Sequence, residues 1–188
     1  MATSPDATPL GTPLPDGQLV AVDGATHDLA DLTGDGPVLL AVLSNHCPYV
    51  RHIEQEFGRV AAELVDRGIA VIGVSSNDAT SHPQDGPDGM GEQVERAGWS
   101  IPYLRDPDQV LARVVGAVCT PDLFLYDRDQ RLAYRGAFDG STPGNDVPLT
   151  GEDVMAAAEA VLEGRPAPEE QRPAMGCGIK WTPGNEPT

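Results

Sequence analysis

Cys47 lies in the segment Ser44-Asn45-His46-Cys47-Pro48, and the chemistry open to it is nucleophilic. A thiolate attacks sulfur, giving disulfide exchange, or peroxide oxygen, giving a sulfenic acid. Two other cysteines accompany it, Cys119 in Val118-Cys119-Thr120-Pro121 and Cys177 near the C-terminus. The three are separated by 72 and 58 residues, an odd number without the close Cys or His pairs of structural zinc or the pattern of a secreted disulfide framework. No metal and no cofactor is expected. Redox chemistry by one or two of the thiols is the remaining use.

The elements around Cys47 place it at a helix N-terminus. Val38 to Leu43 is an unbroken apolar run, which reads as a strand buried on both faces. Pro48 suits a first helical position. Beyond it Val50, Ile53, Phe57, Val60, Ala61, Leu64 and Val65 mark one apolar helix face, and Gly68 offers a C-cap. Unpaired N–H groups and the positive end of the helix dipole meet at Cys47, a setting that lowers the pKa of a thiol. Ile69 to Val74 is a second parallel-type strand, so Ser75-Ser76-Asn77-Asp78 belongs on the same sheet edge as Cys47. Asn77 and Asp78 are candidates for lining the cleft.

At these residues the chain resembles the thioredoxin-fold superfamily, in its peroxiredoxin-like (AhpC/TSA) branch. Ser44 to Pro48 is similar to the peroxidatic segment of that branch, and the resemblance extends to Leu14-Pro15-Asp16 and to Thr120 through Asp127. It implies an α/β, thioredoxin-like fold with a central mixed β-sheet flanked by helices, an N-terminal extension and a C-terminal tail. It further implies a cis Thr120–Pro121 bond facing Cys47, with Thr120 backbone groups available to an extended substrate. The chain departs from the branch in two places: peroxiredoxins usually carry Pro seven residues before the Cys and an Arg near the cis-proline position, where this chain has Leu40 and Pro121. It departs from thioredoxins at Val50, which stands where they carry a second Cys.

The resulting expectation is a thiol-dependent oxidoreductase that reduces hydroperoxides through Cys47. Cys119 is preferred over Cys177 as the second thiol because it precedes the proline loop, and an outside reductant is the third choice. Ser44, Asn45, His46, Pro48, Thr120 and Pro121 are the substrate-binding candidates, Ser44 through a hydrogen bond to the peroxide or thiolate and His46 chiefly as a structural neighbour. Two alternatives stay open: disulfide exchange without a Cys-x-x-Cys motif, and a non-enzymatic redox-sensing or binding member of the fold. Partners would be a hydroperoxide or disulfide substrate and a thiol reductant, and self-association into a homodimer is compatible with this reading.

Twelve basic residues against 29 acidic ones give a net charge of −17, a surface that repels nucleic acid and anionic lipid. No apolar run is long enough to span a membrane, and the first residues lack a signal-peptide pattern, so a cytoplasmic location is expected. At 188 residues the chain reads as one domain over 1–164, with a Pro-rich tail over 165–188 whose Met175, Cys177, Ile179 and Trp181 call for docking. Residues 1–17 read as a loose arm, Gln18 to Val22 as an edge strand, and His27 as a solvated connection. Residues 79–91 read as a Gly/Pro/Asp-rich loop in which Asp85 and Asp88 are solvated, followed by a helix near Glu92 to Ala97. Leu123 to Tyr126 and Leu132 to Tyr134 read as a hairpin, Asp139 to Thr150 as a polar loop, and Val154 to Leu162 as a final helix.

Overall fold

A computed structural model describes residues 8–187. The chain forms nine strands and five helices among these residues. In order they are β1 (Gln18–Val20), β2 (Thr26–Asp28), α1 (Leu29–Thr33), β3 (Val38–Leu43), α2 (Pro48–Asp66), β4 (Ala70–Ser75), α3 (Pro87–Ala97), β5 (Tyr103–Arg105), α4 (Val110–Val115), β6 (Cys119–Thr120), β7 (Asp122–Tyr126), β8 (Leu132–Gly136), α5 (Glu152–Leu162) and β9 (Cys177–Gly178). Seven strands make one mixed sheet in the order β2-β1-β5-β4-β3-β7-β8, with β3, β4 and β5 parallel. This is the expected mixed sheet flanked by helices.

Strand β3 sits inside it because both of its faces are apolar. Leu39, Ala41 and Leu43 enter one core layer with Phe57, Val60 and Leu64 of α2 and Val154, Ala157 and Val161 of α5. Val38, Leu40 and Val42 enter the opposite layer with Leu29, Leu111 and Val115. The two-residue period of the strand divides its side chains between the layers. Val65 stays 47% exposed, since it lies one step past the buried stripe of α2. Gly68, with φ +90, turns the chain after that helix.

Several expectations are corrected. Strand β1 is not an edge, because it pairs with β2 on one side and β5 on the other. The arm is not loose over residues 8–17: Gly11 N–H donates to Leu132 O, Leu14 N–H to Gln130 O, and Thr8 Oγ1 to Val115 O. Its residues 1–7 lie outside the described residues. The stretch 79–91 is not a simple loop either. A 3-10 turn at Pro83–Asp85 leads into α3, which starts at Pro87, and Asp85 is 1% exposed. Pro at a first helical position and an αL Gly98 at the end bound that helix.

The tail returns to the body. Arg172 O accepts Ala137 N–H, and β9 pairs antiparallel with β6. Lys180 N–H donates to Asn77 Oδ1, and Asp78 N–H donates to Lys180 O. Ile179 is buried in the second core layer, with Trp181 packed against it.

Helix α3 rests closely on the Pro83–Asp85 turn. A Cβ at Gly89 would stand 2.1 Å from Gln84 O and 2.9 Å from Asn45 Nδ2. Gly89→Ala is therefore expected to destabilise the chain by about 1–3 kcal/mol, seen as a lower urea midpoint. An unchanged midpoint would show that the turn yields freely.

Candidate active site

Four segments converge at the C-terminal edge of β3: the Ser44–Cys47 turn, the Asn77 loop after β4, the Asp85 turn and β6 with its partner β9. Cys47 is the N-cap of α2 and has extended backbone, with Pro48 at the first helical position. No side chain caps this helix, and Pro48 has no N–H, so the N–H groups of Tyr49 and Val50 face the Cys47 end. Cys47 is fully buried, and its S–H donates to Thr120 O at 3.1 Å. The Thr120–Pro121 bond is cis.

Asp85 organises the turn before Cys47. Its Oδ1 accepts Asn45 N–H at 2.6 Å, Ser44 Oγ–H at 3.0 Å and His46 N–H at 3.3 Å. Its Oδ2 accepts Asn77 Nδ2 at 2.8 Å and pairs with His46 Nδ1 at 2.5 Å. Five groups of the chain therefore meet one buried carboxyl group. The Ser44 hydroxyl is occupied by Asp85 and by His46 Nδ1 at 3.1 Å, without a direct bond to Cys47. Asn45 ties the turn to the helices: its O accepts Arg51 Nε at 2.5 Å, and its Oδ1 accepts Arg96 Nη2 at 2.8 Å. Arg96 also grips the buried Glu54 through Nε and Nη2.

The two candidate second thiols, Cys119 and Cys177, lie on paired strands. In the β6–β9 pair Thr120 faces Cys177 and Cys119 faces Gly178. Successive strand residues point to opposite sides, so Cys177 shares the face of Thr120 while Cys119 turns away. Cys119 is buried, its nearest acceptor being Pro121 O at 3.8 Å. Burial above all, then the neighbouring Asp122 carboxylate, pushes the Cys119 thiol up to about 12. Cys177 is half-buried, and burial followed by hydrogen bonding with the Cys47 thiol pushes it up to about 11, against the pull of Lys180. Cys177 is thus paired with Thr120, whose carbonyl accepts the Cys47 S–H, and the Cys47 thiol is among the causes that raise both Cys177 and Cys119. Gly176 makes this approach feasible, since a Cβ there would lie 1.9 Å from Thr120 O.

Beside Pro121 and Gly176 opens a pocket of about 420 Å³, lined among others by Tyr49, Ile53, Phe138, Ser141, Arg172 and Met175. Pro121 is thus on a cavity wall, whereas Cys47 is not. The Asp78 side chain accepts an exposed turn bond from Thr80 N–H, while its backbone N–H holds Lys180 O of the tail. Asp85 is the residue that sequence reasoning missed, and Cys177 is one that it ranked behind Cys119. Nothing local distinguishes Asp85 from the other acidic residues of its loop, and its five donors lie up to 41 residues away in the chain.

The AhpC/TSA family model matches residues 10–135. A thiol:disulfide interchange protein DsbE of Yersinia pestis is 30% identical over 135 residues, which cover 69% of this chain and 65% of that relative's length. A solved hypothetical protein of Sinorhizobium meliloti is 40% identical, with a TM-score of 0.91, 95% of this chain and 98% of that one being covered. A solved uncharacterized conserved protein of Geobacillus kaustophilus is 42% identical, with a TM-score of 0.89 and 93% of each chain covered.

Asp122, next to Pro121, offers a test of the site's electrostatics. Burial pushes its carboxyl up to about 6, against the opposing pull of Arg135 and Val118 N–H. The folded state therefore holds this proton more tightly than the unfolded chain does. The associated stability is present below about pH 4 and is lost as pH rises through about 6. Relative to the parent, Asp122→Asn is expected to gain on the order of 3 kcal/mol between those limits and level off above them. A stability difference independent of pH in urea melts contradicts this.

Proposed function

The chain belongs to the AhpC/TSA family and has a thioredoxin-like fold, and from that premise we propose that it is a thiol–disulfide oxidoreductase whose nucleophile is Cys47 and whose second thiol is Cys177. The observation that carries this reading is the pairing of Cys177 with Thr120, whose carbonyl accepts the Cys47 S–H, with the Cys47 thiol among the causes of the raised Cys177 pKa. The likeness to a thiol:disulfide interchange protein supports it.

In the first step the Cys47 thiolate attacks one sulfur of a substrate disulfide. A Cys47–substrate bond forms, the substrate S–S bond breaks, and the leaving thiolate takes up a proton. Cys177, as thiolate, then attacks the Cys47 sulfur and releases the second substrate thiol. The substrate is reduced by two electrons, and the chain is left with a Cys47–Cys177 disulfide that an external thiol reduces. Once Cys47 is engaged it no longer hydrogen-bonds Cys177, so one cause of the raised Cys177 pKa disappears. A strand-borne thiol thereby fills the role that a Cys-x-x-Cys helix would give to position 50, here Val50.

Burial of Cys47 favours a second reading, hydroperoxide reduction. A small peroxide needs less room than a polypeptide disulfide. Attack on its oxygen gives a Cys47 sulfenic acid and releases water or an alcohol, and condensation with Cys177 then releases water and forms the same disulfide. The two readings share the thiols and differ in the oxidant.

Non-reducing peptide mapping after one equivalent of either oxidant is expected to yield a Cys47–Cys177 peptide. A Cys47–Cys119 peptide, or no intramolecular bridge, overturns the pairing. Turnover with a thiol reductant, measured against a small disulfide and against a hydroperoxide, separates the readings.

Gly176→Ala keeps all three cysteines but forces the tail off Thr120 O. Bridge formation is expected to slow by on the order of tenfold as the second thiol loses its held position. Alkylation of Cys47 by iodoacetamide should rise in the same variant. Unchanged rates for both would mean that the tail neither presents Cys177 nor covers Cys47.

A further inference from the structure

Gln109, the residue before α4, is fully buried and has left-handed backbone with φ 56. A side chain takes that conformation at a cost that its surroundings must offset, whereas glycine takes it freely. The Gln109 amide is fully committed. Its Nε2 donates to Ser76 O at 2.7 Å and to Lys180 O at 2.9 Å, and its Oε1 accepts Thr182 N–H at 2.8 Å and Asn185 Nδ2–H at 3.2 Å. Ser76 lies just past β4, and the other three partners lie in the C-terminal tail. Backbone geometry alone gives no reason for glutamine at this position; the bonds to the tail do.

The stretch it grips leads straight to the second thiol. Lys180 stands three residues beyond Cys177, with its N–H donating to Asn77 Oδ1 at 2.8 Å and its O accepting both Gln109 Nε2 and Asp78 N–H. Between the two, Ile179 is buried and its N–H donates to Val118 O at 3.3 Å. At the near end Gly176 lies against Thr120 O and Cys177 pairs with Thr120. The strand β9 has only two residues, so its place opposite β6 depends on these bonds at Lys180 and Thr182.

We propose that Gln109 is a positioning residue for Cys177, and that the same grip holds the tail shut over Cys47. This rests on Cys47 and Cys177 being the first and second thiols. The grip then acts with opposite sign on the two steps of exchange. Cys47 is fully buried, so a disulfide reaches it only when the tail lifts. Closure needs the reverse. The Cys177 thiolate attacks the Cys47 sulfur of the mixed disulfide, the Cys47–Cys177 bond forms, the Cys47–substrate bond breaks, and the departing thiolate takes up a proton. A held Cys177 makes that attack fast. Loosening the grip therefore speeds entry and slows closure.

The test uses the full-length chain with all three cysteines, reduced, mixed with glutathione disulfide and quenched with acid at intervals. Intact mass follows the glutathione adduct and the bridged form separately. Gln109→Gly removes the amide and leaves a backbone that suits glycine. In this variant adduct formation is expected to rise by about threefold, and conversion of the adduct to the Cys47–Cys177 disulfide to slow by roughly tenfold, so that an adduct transient in the parent accumulates. Gln109→Glu keeps an acceptor for Thr182 N–H but has no donor for Ser76 O and Lys180 O, so it should move both rates in the same directions. It carries the test if Gln109→Gly fails to fold. Any pattern other than faster entry with slower closure, both steps slowed or neither changed included, overturns the positioning role while leaving the thiol pairing in place. Absence of a Cys47–Cys177 bridge in the parent sinks the functional reading and the positioning role with it.

Discussion

A buried carboxylate without a cationic arginine or lysine beside it has to be met by whatever donors the chain can bring, or it costs several kcal/mol. Asp85 is that group, and its donors are a strand-end hydroxyl, two backbone N–H groups, an imidazole and an amide. Satisfying it fixes where β3 stops and how the chain enters α2. It also positions α3, whose Gly89 closes on the same turn. Asn77 extends the constraint to the C-terminal tail, since its Nδ2 bonds Asp85 while its Oδ1 bonds Lys180 N–H. One interaction therefore bears on the nucleophile's turn and on the segment that carries the second thiol.

Thr120 is the other point of convergence. Its carbonyl accepts the Cys47 S–H and lies against Gly176, and its strand position is paired with Cys177. The edge on which an extended substrate was expected to pair is occupied by the chain's own residue. In the proposed reading this arrangement supplies a second thiol from a strand rather than from the next turn of the helix, and access to Cys47 depends on how readily residues 175–182 lift. Their anchors are a short two-residue ladder, the two Asn77–Asp78 bonds to Lys180, Gln109 at Lys180 O and Thr182 N–H, and the buried Ile179.

Features set by local chemistry were legible in the chain itself. The run Val38 to Leu43 has no polar residue to offer solvent, so it had to be internal, and all six residues are buried. The three- and four-residue spacing from Val50 to Leu64 placed α2, and Pro48 placed its start. Features set by distant partners were not legible. Pro and Gly at 83, 86, 87 and 89 read as loop signals, yet Pro87 begins α3 and Gly89 is required by a close backbone contact. Asp85 carried no local mark of burial. Cys119 looked the better placed thiol because it precedes Pro121, but it is Cys177 that pairs with Thr120, a consequence of register with β9 that no local pattern reveals.

The central claim is that Cys47 alone opens the exchange and Cys177 closes it. The most direct measurement is intact-mass and peptide analysis of the full-length Cys177→Ser chain after mixing with glutathione disulfide. With the second thiol gone, the first intermediate has no internal exit. The account predicts a single glutathione adduct that persists on the peptide bearing Cys47. An adduct on Cys119, or an unmodified chain, contradicts it.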